Sequence, residues 1–397
     1  MDASPLIDIN QEKVSIENLV QSRTLIPNQE FNTYRPEYFL PIKEIAEMLS
    51  LSKATIHTDL NNSRLMDFCI KKHGKVCVPS YVVRELFKNR GFPYSQQVLT
   101  FQILKGGAGK STCSYGIGRR LAQRGYRVLH VDIDPQSNSS SSILMEAARE
   151  NRELIKSGEV KDRYQPDVKE KIKFLESQTH HSLFDYFSEG LNLEDIIIPV
   201  TEHMHLIPSN MSNAGLDAFF KEGKFRGKRF EDEYEILQEF VEALKDHYEI
   251  IIFDCPPTLE VPVLGTALIS DQVVLPVFAA NYCFQGLDQS NDAIDSLVSS
   301  LDGKYSVKKR VLFNLFAGKA IDQRKLSSLF TNEKYSEITL DSVIRYHDEI
   351  PDRIDLYSDF FDYTDIKAKE VPDLVRDFDS AALKLVGGEE LLQFLLD

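Results

Sequence analysis

The chain has no tryptophan, and its five cysteines form neither an even set nor a C-x-x-C pair. Cys69, Cys77, Cys113, Cys255 and Cys283 therefore build no disulfide framework and no cysteine zinc site, a pattern that fits a reducing cytoplasm. No stretch approaches about 18 uninterrupted apolar residues, which excludes a membrane-spanning helix. The opening residues, MDASPLIDINQEKVSIENLV, lack a basic start and a long apolar run, so no secretory signal is visible. Basic residues are also in deficit: 46 Lys and Arg against 61 Asp and Glu leave a net charge of −15. A uniformly acidic surface repels nucleic acid. The deficit is not uniform, however. Residues 40–97 hold nine Lys/Arg and five Asp/Glu, a net of +4, so the remainder carries −19. A basic island in an acidic chain points to a polyanionic partner.

The 397 residues contain no internal repeat or low-complexity tract, and their length fits two domains. Three segments are expected: an extension over 1–38 with a short amphipathic stretch, a small helical module over 39–97, and a larger domain over 98–397. Gly91-Phe92-Pro93 reads as the linker between the last two. From Val98 onward, apolar runs (98–104, 127–133, 204–208, 248–254, 272–278, 310–316) alternate with helical segments. That alternation predicts an α/β fold with a doubly wound, mostly parallel sheet. The charged stretch 146–178 reads as a solvated helical insertion, and Asp373 to Leu396 as a closing amphipathic helix interrupted at Gly387-Gly388.

The strongest signal is Lys105-Gly106-Gly107-Ala108-Gly109-Lys110-Ser111-Thr112, lying between a strand and a helix that ends near Gly125. Glycines let backbone N–H groups approach phosphate oxygens without a Cβ in the way. A helix N-terminus adds partial positive charge. Lys110 supplies a point charge to the outer phosphates, and the Ser111 hydroxyl is a ligand for Mg²⁺. The loop departs from the usual G-x-x-x-x-G-K-[ST] pattern in one respect: Leu104 stands where the first glycine belongs, and Lys105 follows it.

This K-G-G-x-G-K-[ST] form resembles the deviant Walker A loop of the ParA/MinD family of ATPases. The resemblance implies ATP or ADP with Mg²⁺ as ligands. It also implies that Lys105 reaches across a sandwich dimer to the partner's phosphates; the plainer alternative is a solvated surface lysine. Two acidic strand ends complete the pattern, Val131-Asp132-Ile133-Asp134-Pro135-Gln136 and Phe253-Asp254-Cys255-Pro256-Pro257. Ligands sit beyond the carboxyl ends of strands in such sheets. Asp254 is expected to hold Mg²⁺ through water, with Asp132 as a second outer acid. The D-x-D-P-Q match puts Asp134 where it orients the attacking water. Asp132 and Asp134 would otherwise be capping or turn aspartates. Pro276, near the end of the run 271–277, falls beside the expected base pocket, and Asn314 matches an asparagine that reads adenine; the alternative for Asn314 is a buried, satisfied amide.

In the basic segment, Ile45, Ala46, Leu49, Leu51 and Ile56 have helix-turn-helix spacing, with Ser50 in place of the usual turn glycine and Ser52 as a cap. The second helix presents Lys53, Thr55, His57, Thr58 and Asn61, with Arg64 beyond, all suited to phosphates and base edges. Lys71, Lys72, Lys75, Arg84, Lys88 and Arg90 extend the positive face, and 75–83 reads as a wing. A packing-only helical hairpin is the alternative. His203 and His205, without a third ligand, do not make a metal site.

Together these features predict a DNA-partition ATPase. It would form an ATP-dependent homodimer on non-specific DNA, be stimulated by a ParB-type partner, and bind operator DNA through the N-terminal module. The expected location is the cytoplasm, on the nucleoid. Competing readings are a nucleotide-sensing repressor and a MinD-like ATPase. The acidic end GGEELLQFLLD argues against the basic membrane helix of the latter.

Overall fold

A computed structural model describes residues 38–72, 74–156, 165–177, 179–225, 227–229, 234–347, 371–387 and 391. The extension over 1–37 lies outside them. Among the described residues, no helix is long and apolar enough to cross a membrane.

The larger part of the chain is the parallel sheet that the apolar runs predict. Its strands are β4 (Gln97–Phe101), β5 (Val128–Asp132), β6 (Ile198–Pro199), β7 (Met204–Ile207), β10 (Ile250–Asp254), β11 (Gln272–Val277), β12 (Lys309–Phe316) and β13 (Thr339–Arg345), in the order β13-β12-β11-β4-β10-β5-β7-β6. Every neighbouring pair is parallel except β6 with β7. The central strands are apolar throughout because both faces are covered. A separate two-stranded hairpin joins β8 (Lys224–Phe225) to β9 (Lys228–Arg229).

The first described residues form a smaller unit. Strands β1 (Phe39–Pro41), β2 (Ile70–Lys72) and β3 (Lys75–Pro79) make an antiparallel sheet in the order β1-β3-β2. Helices α1 (Ile42–Met48) and α2 (Lys53–Asn62) follow one another through a tight turn. Ser50 adopts φ +53° in that turn, the left-handed conformation for which glycine is favoured. Ser52 caps α2, its Oγ accepting the Thr55 N–H at 3.0 Å. The expected wing is shorter and earlier than 75–83: the hairpin is β2–β3, and Ser80 already begins α3 (Ser80–Asn89) after Pro79.

Gly91-Phe92-Pro93 breaks the helix, but it does not hold the two units apart. Phe92 is buried, its ring 5.0 Å from Phe87 and 4.9 Å from Tyr94. One apolar core runs from Leu40, Ile45 and Phe87 into Leu99, Leu121 and Phe378. Arg84, counted above on a positive face, instead turns inward. It forks onto Glu249 at 2.9 and 3.3 Å and lies 4.5 Å over the Tyr94 ring. Arg90 pairs with Asp59. Both charges are spent on packing.

The junction centres on α4 (Lys110–Gln123), which carries two fully buried arginines. Arg119 pairs with Glu146 and lies 4.4 Å over the Tyr38 ring. Arg120 donates at 2.9 Å to Glu44 of α1 and at 2.8 and 2.9 Å to Asp379 of the C-terminal helix. Gly125, at φ +86°, ends the helix as expected, and a Cβ there would meet the Arg84 backbone at 2.8 Å. Helices α5 (Asn138–Lys156) and α6 (Gln165–Leu175) cover the same sheet face as α4. They correct the reading of 146–178 as solvated, since Glu146, Ala147, Ala148, Val168 and Leu175 are buried there. The apolar side of an amphipathic pair, not its charge, decides where it sits. The opposite face holds α7 (Val261–Ile269), α8 (Asn281–Ser300) and α9 (Ala320–Thr331). Helix α10 (Val371–Val386) closes the first face and stops at Gly387, where an interruption was expected.

Removing one member of a buried ion group strands the others. Arg120→Ala should therefore lower unfolding stability by about 3–5 kcal/mol in urea titrations. A loss below about 1 kcal/mol would mean that the Arg120 group does not hold the two units together.

Candidate active site

Strand β4 ends at Phe101, and the chain turns through Leu104–Gly109 into α4. Gly107 and Gly109 take φ of +75° and +79°, which an L side chain rarely adopts. Gly106 and Gly107 are exposed, so the backbone amides of the turn are open to a ligand at the helix N-terminus. Ala108 is buried below them. Lys110 is only 7% exposed, and its Nζ donates to the Lys105 carbonyl at 3.4 Å. Burial holds this ammonium below the usual lysine range, opposed by the nearby Asp254 and Asp134 carboxylates. Ser111 and Thr112 follow in the first turn, both partly exposed.

The parallel register sets Asp254 at the end of β10 directly beside Asp132 at the end of β5. Both are fully buried, and both follow the side-chain alternation onto the face covered by α4. Their environments then diverge. Asp132 is saturated: one oxygen accepts the Ser140 N–H at 2.9 Å and its hydroxyl at 2.6 Å, and the other accepts the Asp134 N–H at 3.1 Å. It also braces the turn into α5. Asp254 has no donor at hydrogen-bond geometry on either oxygen. The hydroxyls of Ser111 and Ser139 lie near enough only to lower its pKa partially. Burial, and then the neighbouring Asp132, push Asp254 up to about 7, while burial alone drives Asp132 up to about 6 against its hydrogen bonds. A buried carboxylate without donors, beside a serine hydroxyl and a lysine, is the arrangement that a hard divalent cation completes.

Asp134 sits in the tight turn that follows, 8% exposed, with one oxygen accepting the Gln136 N–H at 3.0 Å. The Gln136 bond engages only this oxygen, so the turn leaves the other with acceptor capacity.

The two residues expected at the base pocket are both buried. Asn314 is 2% exposed; its amide donates to the Ala108 carbonyl at 3.2 Å and its oxygen accepts the Leu315 N–H at 2.8 Å. The cause is local: Leu315 takes φ +53° and turns the strand end under the loop. A Cβ on Gly109 would come within 2.1 Å of the Asn314 amide nitrogen. Asn314 thus props the loop from below through this amide. Pro276 is buried inside β11, paired with Leu312 where β4 no longer runs alongside; there its missing N–H costs no ladder bond.

The sequence reading missed Ser290, whose Oγ accepts the Leu104 N–H at 2.8 Å, and Ser140, which satisfies Asp132. Only a serine four residues after Gly286, on the same helical face, could have pointed to the first. In the smaller unit, Lys53, Thr58, Asn61 and Arg64 are exposed and Thr55 and His57 half-buried. Thr55 shares a hydrogen bond with Ser52, and Thr58 bonds back to the Ala54 carbonyl. His203 and His205 face Ser80 and Tyr248 at 3.1 and 2.7 Å.

The model of a family described as an AAA domain matches residues 96–307, more than half of the chain. The sporulation initiation inhibitor protein Soj of Bacillus subtilis is 32% identical over 194 residues, covering 49% of this chain and 62% of Soj. The chromosome partitioning protein ParA of Caulobacter vibrioides is 23% identical over 217 residues, covering 54% of this chain and 68% of that protein. Among solved structures, a plasmid partition protein from Borrelia burgdorferi bound to AMPPNP shares the fold, with a TM-score of 0.51 at 19% identity over 73% of this chain and 98% of that one.

The raised acids give a pH signature. Between the ordinary 3.8 and about 7, the folded chain keeps protons that the unfolded chain releases, so ligand-free stability falls as pH rises through that window. Asp254→Asn removes the buried charge. The variant should be more stable than the parent at pH 8, on the order of 2 kcal/mol in urea unfolding, with a flatter pH slope. Equal stability at pH 8 would mean that Asp254 is well solvated.

Proposed function

The chain belongs to the ParA-type partition ATPases, an AAA-domain family, and from that premise we propose that it hydrolyses ATP to move DNA. One observation carries the reading: at the ends of β4 and β10, open loop amides, the buried Lys110 ammonium and the donor-free Asp254 carboxylate converge. A magnesium triphosphate offers the matching charges, because the polyanion compensates Lys110 and the cation compensates Asp254.

In this reading Gly106 to Thr112 cradle the phosphates through backbone N–H groups, and Lys110 neutralises the outer oxygens. Ser111, and Asp254 through water, would hold Mg²⁺, which would supply Lewis-acid charge stabilisation at the phosphoryl group. Asp134 orients the attacking water through its unbonded oxygen. Lys105 crosses to the phosphates of a second copy, so that the complete charge set exists only in a dimer. Such positioning and charge stabilisation are what phosphoryl transfer needs.

The dimer would bind DNA non-specifically, and a ParB-type partner would stimulate its hydrolysis and release it. The smaller unit would read operator DNA with the exposed face of α2 (Lys53, Thr58, Asn61), with Thr55 and His57 at its margin, and with Arg64 beyond. Its contact through Arg120 with the loop-bearing helix supports a link between nucleotide state and DNA binding. The ATPase would then work on the nucleoid.

Steady-state ATP turnover should rise at least severalfold on adding DNA and the ParB-type partner together; background turnover with both present would favour a nucleotide-sensing repressor. Lys105→Gln should bind ATP yet give no ATP-dependent dimer on sizing, and an unchanged dimer mass would remove Lys105 from the bridging role. Asn61→Ala with Arg64→Ala should weaken operator shifts by about 1–3 kcal/mol per lost base contact while ATP still binds. Undiminished shifts would place DNA recognition elsewhere.

A further inference from the structure

We propose that Tyr282 is a positioning residue for Lys105, holding the loop-entrance ammonium on its ring at the subunit surface. The inference rests on the reading of Lys105 as the side chain that crosses to a second copy.

Helix α8 begins one residue before Tyr282, and Tyr282, Gly286 and Ser290 recur every fourth position along one face. That face lies along the entrance of the phosphate loop. Ser290 fixes the Leu104 N–H at 2.8 Å. One turn earlier, a Cβ on Gly286 would come within 2.9 Å of the Leu104 carbonyl oxygen and 3.2 Å of the Lys105 Cβ, so helix backbone and loop touch there. One turn earlier again, the Lys105 Nζ lies 4.7 Å from the centroid of the Tyr282 ring. This distance is within cation–π range. Phe278 meets the same ring edge-on at 5.7 Å and 74°, which fixes the plane it offers.

Tyr282 is 50% exposed, so the ring offers its face at the surface. The two loop lysines are thereby separated. Lys110 is buried and bonded to the Lys105 main chain, whereas the Lys105 side chain is drawn toward the helix. A lysine stem left free would lose rotamer freedom when it orders against a neighbour's phosphates. The ring reduces that loss before the neighbour arrives, and it keeps a positive charge at the surface where the neighbour's phosphates would dock.

The test is the dimer dissociation constant of the full chain with Mg²⁺ and a non-hydrolysable ATP analogue, measured by analytical ultracentrifugation. Tyr282→Leu should weaken the dimer roughly tenfold, Tyr282→Phe should stay within about twofold of the parent, and Tyr282→Trp should match or exceed it. A second measurement needs no dimer: the Lys105 ε-CH₂ proton resonance should be ring-shifted upfield in the parent and Tyr282→Phe, and unshifted in Tyr282→Leu. Parental or tighter dimerisation of Tyr282→Leu, or an unshifted Lys105 in the parent, would each overturn this inference alone. A parent that stays a single subunit with the analogue would overturn the dimer reading and this inference with it.

Discussion

Two carboxylates lie side by side at the ends of adjacent central strands, sealed from water. The sheet register leaves them no choice, because Asp254 and Asp132 occupy paired positions. Like charges in a dry interior cannot both ionise without compensation. The chain compensates one of them with the Ser140 amide and hydroxyl and the Asp134 amide. The other has only the nearby Ser111 and Ser139 hydroxyls and Lys110 to offset its burial. Lys110 stands opposite as a buried ammonium, also undercompensated. The site is thus electrostatically unfinished in both signs, and the rest of the local structure holds it that way. Asn314 props the loop from beneath, Ser290 pins its entrance, and the glycines keep its amides uncovered.

Helix α4 carries that state outward. Its first turn belongs to the loop, and its last two turns hold Arg119 and Arg120. These arginines bind the first helix of the smaller unit, the helix after β5 and the C-terminal helix. A buried ion group of this kind is weak evidence for stability and better evidence for a fixed arrangement, since a displaced partner would be left charged in an apolar core. The basic unit is therefore docked on the ATPase fold, not tethered to it. The phosphate loop thus sits at one end of a rod whose other end touches the smaller unit.

Much of this was legible in the sequence because it is written locally. Glycines that require positive φ, a lysine and serine opening a helix, and strands apolar on both faces need no knowledge of distant residues. The sheet, the loop and the two acidic strand ends follow from such signals. What escaped was long-range or conformational. Arg84 and Arg90 look like a solvated positive face until their partners are known, and Glu249 lies 165 residues from Arg84. Glu146 in a charged stretch looks solvated until Arg119 meets it. Asn314 also supports the loop, because Leu315 turns the strand end at positive φ and folds the amide under it. No residue-type pattern encodes that twist.

The most direct test is a crystal structure of the full chain grown with Mg²⁺ and a non-cleavable ATP analogue. The account predicts triphosphate density along the amides of Gly106 to Thr112, a metal between Ser111 and Asp254, and Lys105 of a second copy at the outer phosphate. Density for the analogue elsewhere, or an Asp254 that stays bare beside a bound triphosphate, would contradict it.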